Sequence, residues 1–546
     1  MFWADKIASE LKSQGPQWVD DMKTPSGQIH VGALRGVIIH DLVYRALLDF
    51  GIKAKYTYVF DDHDPMDSLP VYLPQEKYKK FMGFPLNKIP SPGKGAKNFA
   101  EFYALEFKEV FNKLGSTPEI IWASELYKSG KMDEGIKICL DNASKIREIY
   151  NRFARTPHFN AGGEGKARFQ ASPQNAGKAV ESLRKKTPHF QCGEAYKKIA
   201  GADLPPDWFP FSVICEKCGK VGTTKVYAWD KKKVSYRCLP NLVEWAKGCG
   251  YEGKISPYGG TGKLPWKVEW AVKWQVIGVT VEGAGKDHMS KGGSHDIASA
   301  VCQEILGYKT PYPVPYEFFL IGGRKMSSSK GLGSSASEVT EILPPELLRF
   351  LMVRVPIERA IDFDPGGMTI PDLFDEYDRC AKDKRRVFEL SQVGKISEKE
   401  IKFPRFRDVA SFIQMPGVDV KKQFPDADKK VLEERIKYAK IWLDGYAPKE
   451  FIFKVAEKLP KEAKKLSPEQ KNYLSEVLQL IEVKGQTPEE FQEALYNLAK
   501  EKKLSSSEAF SAIYLILTGK TSGPKAAWLL LSLDRNFLIK RFKEAV

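Results

Sequence analysis

The 546-residue sequence predicts an α/β fold: a parallel-sheet domain carrying a metal-binding insertion, followed by an all-helical C-terminal domain. Three observations predict it. Between Gln17 and Phe60 the chain reads strand, glycine turn, long helix, strand. Four cysteines, at 215, 218, 238 and 249, cluster in one short stretch. Beyond Asp362-Phe363-Asp364-Pro365-Gly366-Gly367 glycine is sparse, and helical periodicity runs on to Val546.

The elements follow in order. Residues 1–13 read as a helix and Gln17-Trp18-Val19 as a short strand. Thr24-Pro25-Ser26-Gly27 must turn, since proline and glycine punctuate the chain. From Val31 to Phe50 the apolar residues Val31, Leu34, Val37, Ile38, Leu42, Leu47 and Leu48 recur at helical spacing, and Gly51 ends the run. Ala54–Phe60 is the second strand. Such a βαβ unit implies a parallel sheet. Residues 61–95, rich in Pro and Asp, read as loops, and 98–155 as helical. Residues 156–190 form a polar insertion in which Thr156-Pro157-His158-Phe159 recurs as Thr187-Pro188-His189-Phe190; two copies are too few for a solenoid. The cysteines occupy 208–254, and an α/β pattern returns over 266–350. A domain boundary is expected near 366–378.

The totals narrow the function. Lys plus Arg number 85 against 69 Asp plus Glu, a net charge of +16, which suits a polyanionic partner such as nucleic acid. There is no apolar run long enough to span a bilayer. Met1 to Gln17 carries Asp5, Lys6, Glu10 and Lys12 and has no secretory pattern, so a cytoplasmic location is expected. Disulfides are then improbable, and the clustered cysteines read as metal ligands. Cys215-Glu216-Lys217-Cys218-Gly219 is a knuckle that turns two thiolates onto one ion, with Cys238 and Cys249 as partners. Four thiolates without a nearby histidine point to structural Zn²⁺.

Two further motifs carry chemistry. Thr24 to Gly36 follows a strand and opens a helix, whose N-terminal N–H groups favour phosphate. There Gly27 and Gly32 let backbone approach a nucleotide, and His30 can donate to a phosphate in the transition state. Far downstream, Lys325-Met326-Ser327-Ser328-Ser329-Lys330 follows the apolar strand end at Leu320-Ile321. Two lysines with hydroxyls between them suit a triphosphate undergoing in-line displacement.

Together these motifs resemble the HIGH and KMSKS signatures of class I aminoacyl-tRNA synthetases. The first departs at Ala33 and the second at Ser328, so whether Ser328 or Lys330 fills the second lysine's role stays open. The wider resemblance is to class I lysyl-tRNA synthetases and covers most of residues 1–370. Its carriers are Thr24-Pro25-Ser26-Gly27, Phe60 to Asp67, Trp208-Phe209-Pro210, Trp266 to Trp274, Glu282 to His288, and Leu348 to Arg354 with Ala360 to Pro365. The resemblance implies a Rossmann-type catalytic domain that activates L-lysine with ATP and Mg²⁺. It then passes the lysyl group to the 2′-hydroxyl of tRNA(Lys). By the same resemblance the catalytic residues are expected to be His30, Lys325, Lys330, Ser327 and Ser328. ATP contacts add Pro25, Ser26, Gly27, Gly32, Met326, Gly292, Gly293 and, on the ribose, Asp287. The lysine contacts are Thr24, Trp266, Glu269 and His288, with Asp20 and Asp21 as other acidic candidates. Trp270 and Trp274, one helical turn apart, are expected to pack. The zinc insertion is expected to brace the tRNA acceptor end.

Similarities to arginyl enzymes (His30 to Arg35) and to cysteinyl and glutamyl enzymes (the cysteine insertion) leave another class I synthetase as an alternative. A zinc-ribbon tRNA-binding protein without catalysis is a second. The implied divisions are 1–95 and 263–320 for the two sheet halves, 96–262 for the insertion, 321–370 for the KMSKS region, and 371–546 for an anticodon-binding helical domain, the whole a monomer. In that last division Arg379, Lys382, Lys384, Arg385 and Arg386 make a basic opening. Tyr438, Trp442 and Tyr446 could stack an unpaired base, but packing is the stronger expectation.

Overall fold

The computed structural model describes residues 1–154, 204–322, 324–325, 335–394, 401–483 and 485–546. The 156–190 insertion and Met326, Ser327, Ser328 and Lys330 lie outside the described residues. The chain forms two compact units: Met1–Val339 with Met352–Asp362, and Thr340–Leu351 with Phe363–Val546.

The first unit is built on five parallel strands, β1 (Gln17–Lys23), β2 (Ala54–Phe60), β3 (Glu119–Trp122), and two later ones at Val281–Gly285 and Tyr312–Tyr316. Between them the insertion contributes β4 (Ser212–Val213), β5 (Thr224–Trp229), β6 (Val234–Cys238), β7 (Glu252–Ile255) and β8 (Gly262–Lys263), so the two later strands of the main sheet are β9 and β10. The sheet order is β10-β9-β1-β2-β3. The helix Gly32–Asp49 packs on β1, β2 and β9 through fully buried Val37, Ile38, Leu42 and Val43. Each such side chain stabilises the fold by roughly 1.5–3 kcal/mol through burial. Gly36 sits where a Cβ would come within 2.7 Å of the Tyr316 hydroxyl, so this helix approaches the sheet only with glycine there.

Two differences from the sequence reading have physical causes. β1 runs four residues beyond Val19, through Asp20 and Asp21. Buried carboxylates broke the apolar pattern that marks a strand. β3 interrupts the stretch read as continuous helix and carries the main sheet past residue 95. A strand of four residues, between the helices Phe99–Lys113 and Ala123–Lys128, is too short to change the periodicity.

The insertion is a small antiparallel sheet, β5-β6-β7, beside the pair β4-β8. After β10 comes the hairpin of β11 (Phe319–Ile321) and β12 (Arg324–Lys325), turning at Gly322 with φ +53°.

The second unit is helical from Thr369–Asp383 to Arg535–Ala545. Three of its helices open with complete capping boxes, Ser467/Gln470, Thr487/Glu490 and Ser505/Glu508, two of them followed by proline. Leu474, Leu495, Ile513, Leu529 and Phe542 form its core. Tyr438 and Trp442 are buried, and Trp442 packs edge-on against Phe406 and Phe451, so they are packing residues, not a stacking platform.

Candidate active site and metal centre

The chain runs outward from β1 through β2 to β3 on one side, and through β9 to β10 on the other. β1 and β9 therefore flank the point where strand order reverses, and in open α/β sheets ligands bind outside the carboxyl ends of such strands. The sequence motifs converge there. Thr24 to His30 leaves the end of β1 and enters the helix at Gly32, whose N-cap, Val31, offers no side-chain cap. That leaves the helix start to the backbone N–H groups, a natural anion site. Gly27 faces the Tyr72 hydroxyl, which a Cβ would meet at 2.7 Å. Across the crevice β9 ends at Gly285 and passes into the short helix Lys286–Met289, which holds Asp287, exposed, and His288, half-buried. Gly292 N–H donates to Asp296 at 2.7 Å, and a Cβ on Gly293 would strike two carbonyls at 2.6 Å.

The chain just beyond the downstream signature returns to the same place. His30 forms an antiparallel bridge with Ser335, and Ala336 N–H donates to the Ile29 carbonyl at 2.9 Å. Lys325 closes the β11–β12 hairpin opposite Leu320. Of the KMSSSK segment Lys325 is thus described, and Ser335, five residues beyond Lys330, lies against the first motif.

Beside the crevice Trp266 and His288 meet edge to face, ring centroids 5.4 Å apart, with Trp270 stacked on Trp266 at 5.8 Å. Trp270 and Trp274 pack as expected, and both indole N–H groups donate to the buried Glu282 carboxylate. Burial raises Glu282 well above the usual carboxylate range. Asp20, beside it on β1, accepts a hydrogen bond from Thr57 and is likewise raised by burial. Asp21 instead faces His40, 3.5 Å away. His40 Nε2 accepts from Gly283 N–H at 2.7 Å, which places the proton on Nδ1, 2.7 Å from the Gly36 carbonyl. This neutral imidazole ties the motif helix to β9.

Glu269, expected on the substrate lysine, instead gives its carboxylate to the chain itself. It accepts from Tyr127 at 2.7 Å and from Lys263 at 3.1 Å, and pairs with Lys273 at 3.4 Å. Lys263 also pairs with Asp64, and Lys273 with Asp61. Thr24 donates to the other oxygen of Asp64 at 2.7 Å, joining the end of β1 to this chain of charges. Burial alone would raise the Glu269 carboxyl, but Lys263 and Lys273 outweigh it and hold it at about 2. Asp61, buried with fewer partners, rises to about 6. The sequence reading missed Lys263 and Lys273, though a signal existed: the helix Trp266–Ile277 is apolar almost all round. Such a helix is buried, so Glu269 and Lys273 upon it must be paired.

The four cysteines meet as the spacing predicts. Their sulfurs all lie within 4.8 Å of one another, with Cys215–Cys249 and Cys218–Cys238 each at 3.7 Å. A tetrahedral site with a Zn–S distance of about 2.3 Å has a sulfur–sulfur edge of roughly 3.8 Å, so the cage fits that ion. The ten residues between Cys238 and Cys249 are no obstacle. They loop back so that Gly250 N–H bonds the Cys238 carbonyl and Cys249 N–H faces the Cys238 sulfur at 3.3 Å. The structure holds a cluster able to bind a metal ion.

A crevice at a strand-order reversal, the first signature beside it with the chain just beyond the second bridged to it, and a four-thiolate cage fit a class I synthetase architecture. Residues 1–401 match the family model of tRNA synthetases class I (K), residues 430–546 match the anticodon binding domain, and the chain belongs to that synthetase family. It is 35% identical to a lysine–tRNA ligase of Methanosarcina barkeri, over 100% of this chain and 97% of the relative. It is 32% identical to the lysine–tRNA ligase of Archaeoglobus fulgidus over the whole of both chains. Among solved structures, a glutamate–tRNA ligase of Elizabethkingia meningosepticum aligns over 97% of this chain and 99% of that one, at 15% identity and a TM-score of 0.45.

Proposed function

We propose that this protein joins L-lysine to tRNA(Lys) in two steps. The lysine carboxylate attacks the α-phosphate of ATP in line, releasing pyrophosphate and leaving lysyl-adenylate. The 2′-hydroxyl of the terminal tRNA adenosine then displaces AMP. The observation that carries the reading is the meeting of the first signature with the chain just beyond the second, at His30 and Ser335, beside the β1/β9 crevice.

The chain's groups have distinct tasks. His30 and the backbone from Pro25, Ser26 and Gly27 to Gly32 receive the phosphates. Lys325, with Met326, Ser327, Ser328 and Lys330 by sequence, neutralises charge as pyrophosphate leaves; Mg²⁺ supplies further neutralisation on the triphosphate. Asp287 takes the ribose, and Gly292 and Gly293 let the adenosine lie on backbone. Trp266 and His288 wall the lysine methylenes. Thr24 orients that pocket, and Glu269 serves it from behind, through Lys263. No covalent enzyme intermediate is needed; catalysis is positioning and charge neutralisation. The cysteine cage would hold structural Zn²⁺ that stiffens the insertion, and the helical unit would read the anticodon. Among the described residues no helix is long and apolar enough to cross a membrane.

Charging tests the reading. The purified chain should attach lysine, and no other amino acid, to tRNA in an ATP-dependent reaction. Charging with arginine, glutamate or cysteine instead would overturn it.

A further inference from the structure

The helix that opens the nucleotide motif carries Arg35, three residues into it, and this residue is 1% exposed. A buried guanidinium stays charged and needs acceptors for its fork of donors. Among the described residues no carboxylate supplies them. Arg35 instead donates to four backbone carbonyls: Phe318 at 2.8 Å, Arg359 at 2.7 Å, Pro356 at 3.2 Å and Ile357 at 3.3 Å. Phe318 immediately precedes β11, the strand that pairs with Lys325. The 356–359 carbonyls belong to the segment that receives the Glu317 N–H and returns Ile361 N–H to the same Phe318 carbonyl.

We infer that Arg35 is a positioning residue for the pyrophosphate-release step: it pins the base of the β11–β12 hairpin to the nucleotide helix and so fixes where the backbone of Lys325 stands. The inference rests on the proposed function and deepens it. Phe318 is fixed by Arg35 on the entry side of the second signature, while the His30–Ser335 bridge fixes the exit side. Side chains cannot hold a hairpin base this way with a single donor, and a carbonyl cage of four acceptors selects a planar fork over an ammonium. Its acceptors lie on two segments, the residue before β11 and the 356–359 turn, which are themselves joined at the Phe318 carbonyl.

The experiment is Arg35→Lys and Arg35→Gln in the full-length chain. Lysine binding stoichiometry is measured by calorimetry, and ATP–pyrophosphate exchange is expressed per binding-competent site. Misplacement of a reacting group by about 1 Å costs on the order of 100-fold in rate. The expected result is therefore a kcat per site lower by about 100-fold, with lysine Kd and stoichiometry unchanged. A rate that falls only in proportion to the number of competent sites would overturn the inference, as would normal exchange. Failure of both variants to fold would also overturn it, because Arg35 would then hold the fold and not the hairpin. Absence of lysine-dependent exchange in the unaltered chain would instead defeat the proposed function, so the two failures are distinct.

Discussion

The two units of this protein bury different things. In the α/β unit Asp20, Asp21, Asp62, Glu269, Glu282, Lys263, Lys273 and Arg35 all lie in the interior, and Glu269, Lys263 and Lys273 form a chain of charges that reaches Thr24 at the end of β1 through Asp64. The helical unit buries leucine, isoleucine, alanine and phenylalanine, and starts three of its helices with capping boxes. Among the described residues its most deeply buried charges are three arginines, Arg349, Arg435 and Arg541; of these Arg435 pairs with Asp378 and Arg541 caps carbonyls. Burying a charge is costly unless it is paired, so a unit that does it repeatedly, and at one end of a sheet, is holding groups in place for chemistry. A unit that follows the local rules of helix formation is a scaffold whose working surface is outside.

The largest effect should come from breaking the charge chain. Glu269→Gln leaves Lys263 and Lys273 without their shared anion and should destabilise the α/β unit by about 3–5 kcal/mol, read by urea melts. An unchanged midpoint would show that the chain of charges is not holding the unit. Next, Lys325→Ala should lower ATP–pyrophosphate exchange by about 10²–10³-fold with no change in melting, the sign of a group that acts only on the reacting phosphates. Normal exchange in that variant would remove Lys325 from the site.

Acid separates the units further. Burial pushes the His63 imidazole down to about 4. The folded state keeps it neutral while the unfolded chain protonates near pH 6.5, so its contribution is present above about pH 6.5 and is lost as pH falls toward about 4. His63→Gln should abolish that part of the acid loss. In the helical unit burial beside Glu346 raises Glu434 to about 7. Here the folded state prefers the proton, so stability is present below the unfolded value and lost as pH rises through 7. Glu434→Gln should therefore stabilise the helical unit at pH 8 and much less at pH 5, with hydrogen exchange reporting each unit separately; the same gain at both pH values would contradict this. The smallest change is Thr487→Ala, which removes one capping box and should cost about 1 kcal/mol.

The same contrast explains what was legible. The βαβ start, Ala54–Phe60 as a strand, the cysteine cage and the helical run could be read because local pattern and structure agree. β3 was hidden by its four residues, and the extension of β1 by the carboxylates of Asp20 and Asp21. Glu269 could be placed beside the pocket but not assigned its partners, because Lys263 and Asp64 come to it from elsewhere in the chain. Arg35 stood inside a recognised motif, yet its acceptors are backbone carbonyls more than 280 residues away, which leave no side-chain signature. In the helical unit the elements were legible from local pattern, whereas the anticodon-binding role came from the family resemblance alone, since capping and core residues say nothing of what the surface binds.

The most direct measurement is ATP–pyrophosphate exchange with each of the twenty amino acids in turn. The account predicts exchange stimulated by lysine alone and abolished in Lys325→Ala. Stimulation by arginine or glutamate in place of lysine, or exchange that survives the loss of Lys325, would contradict it.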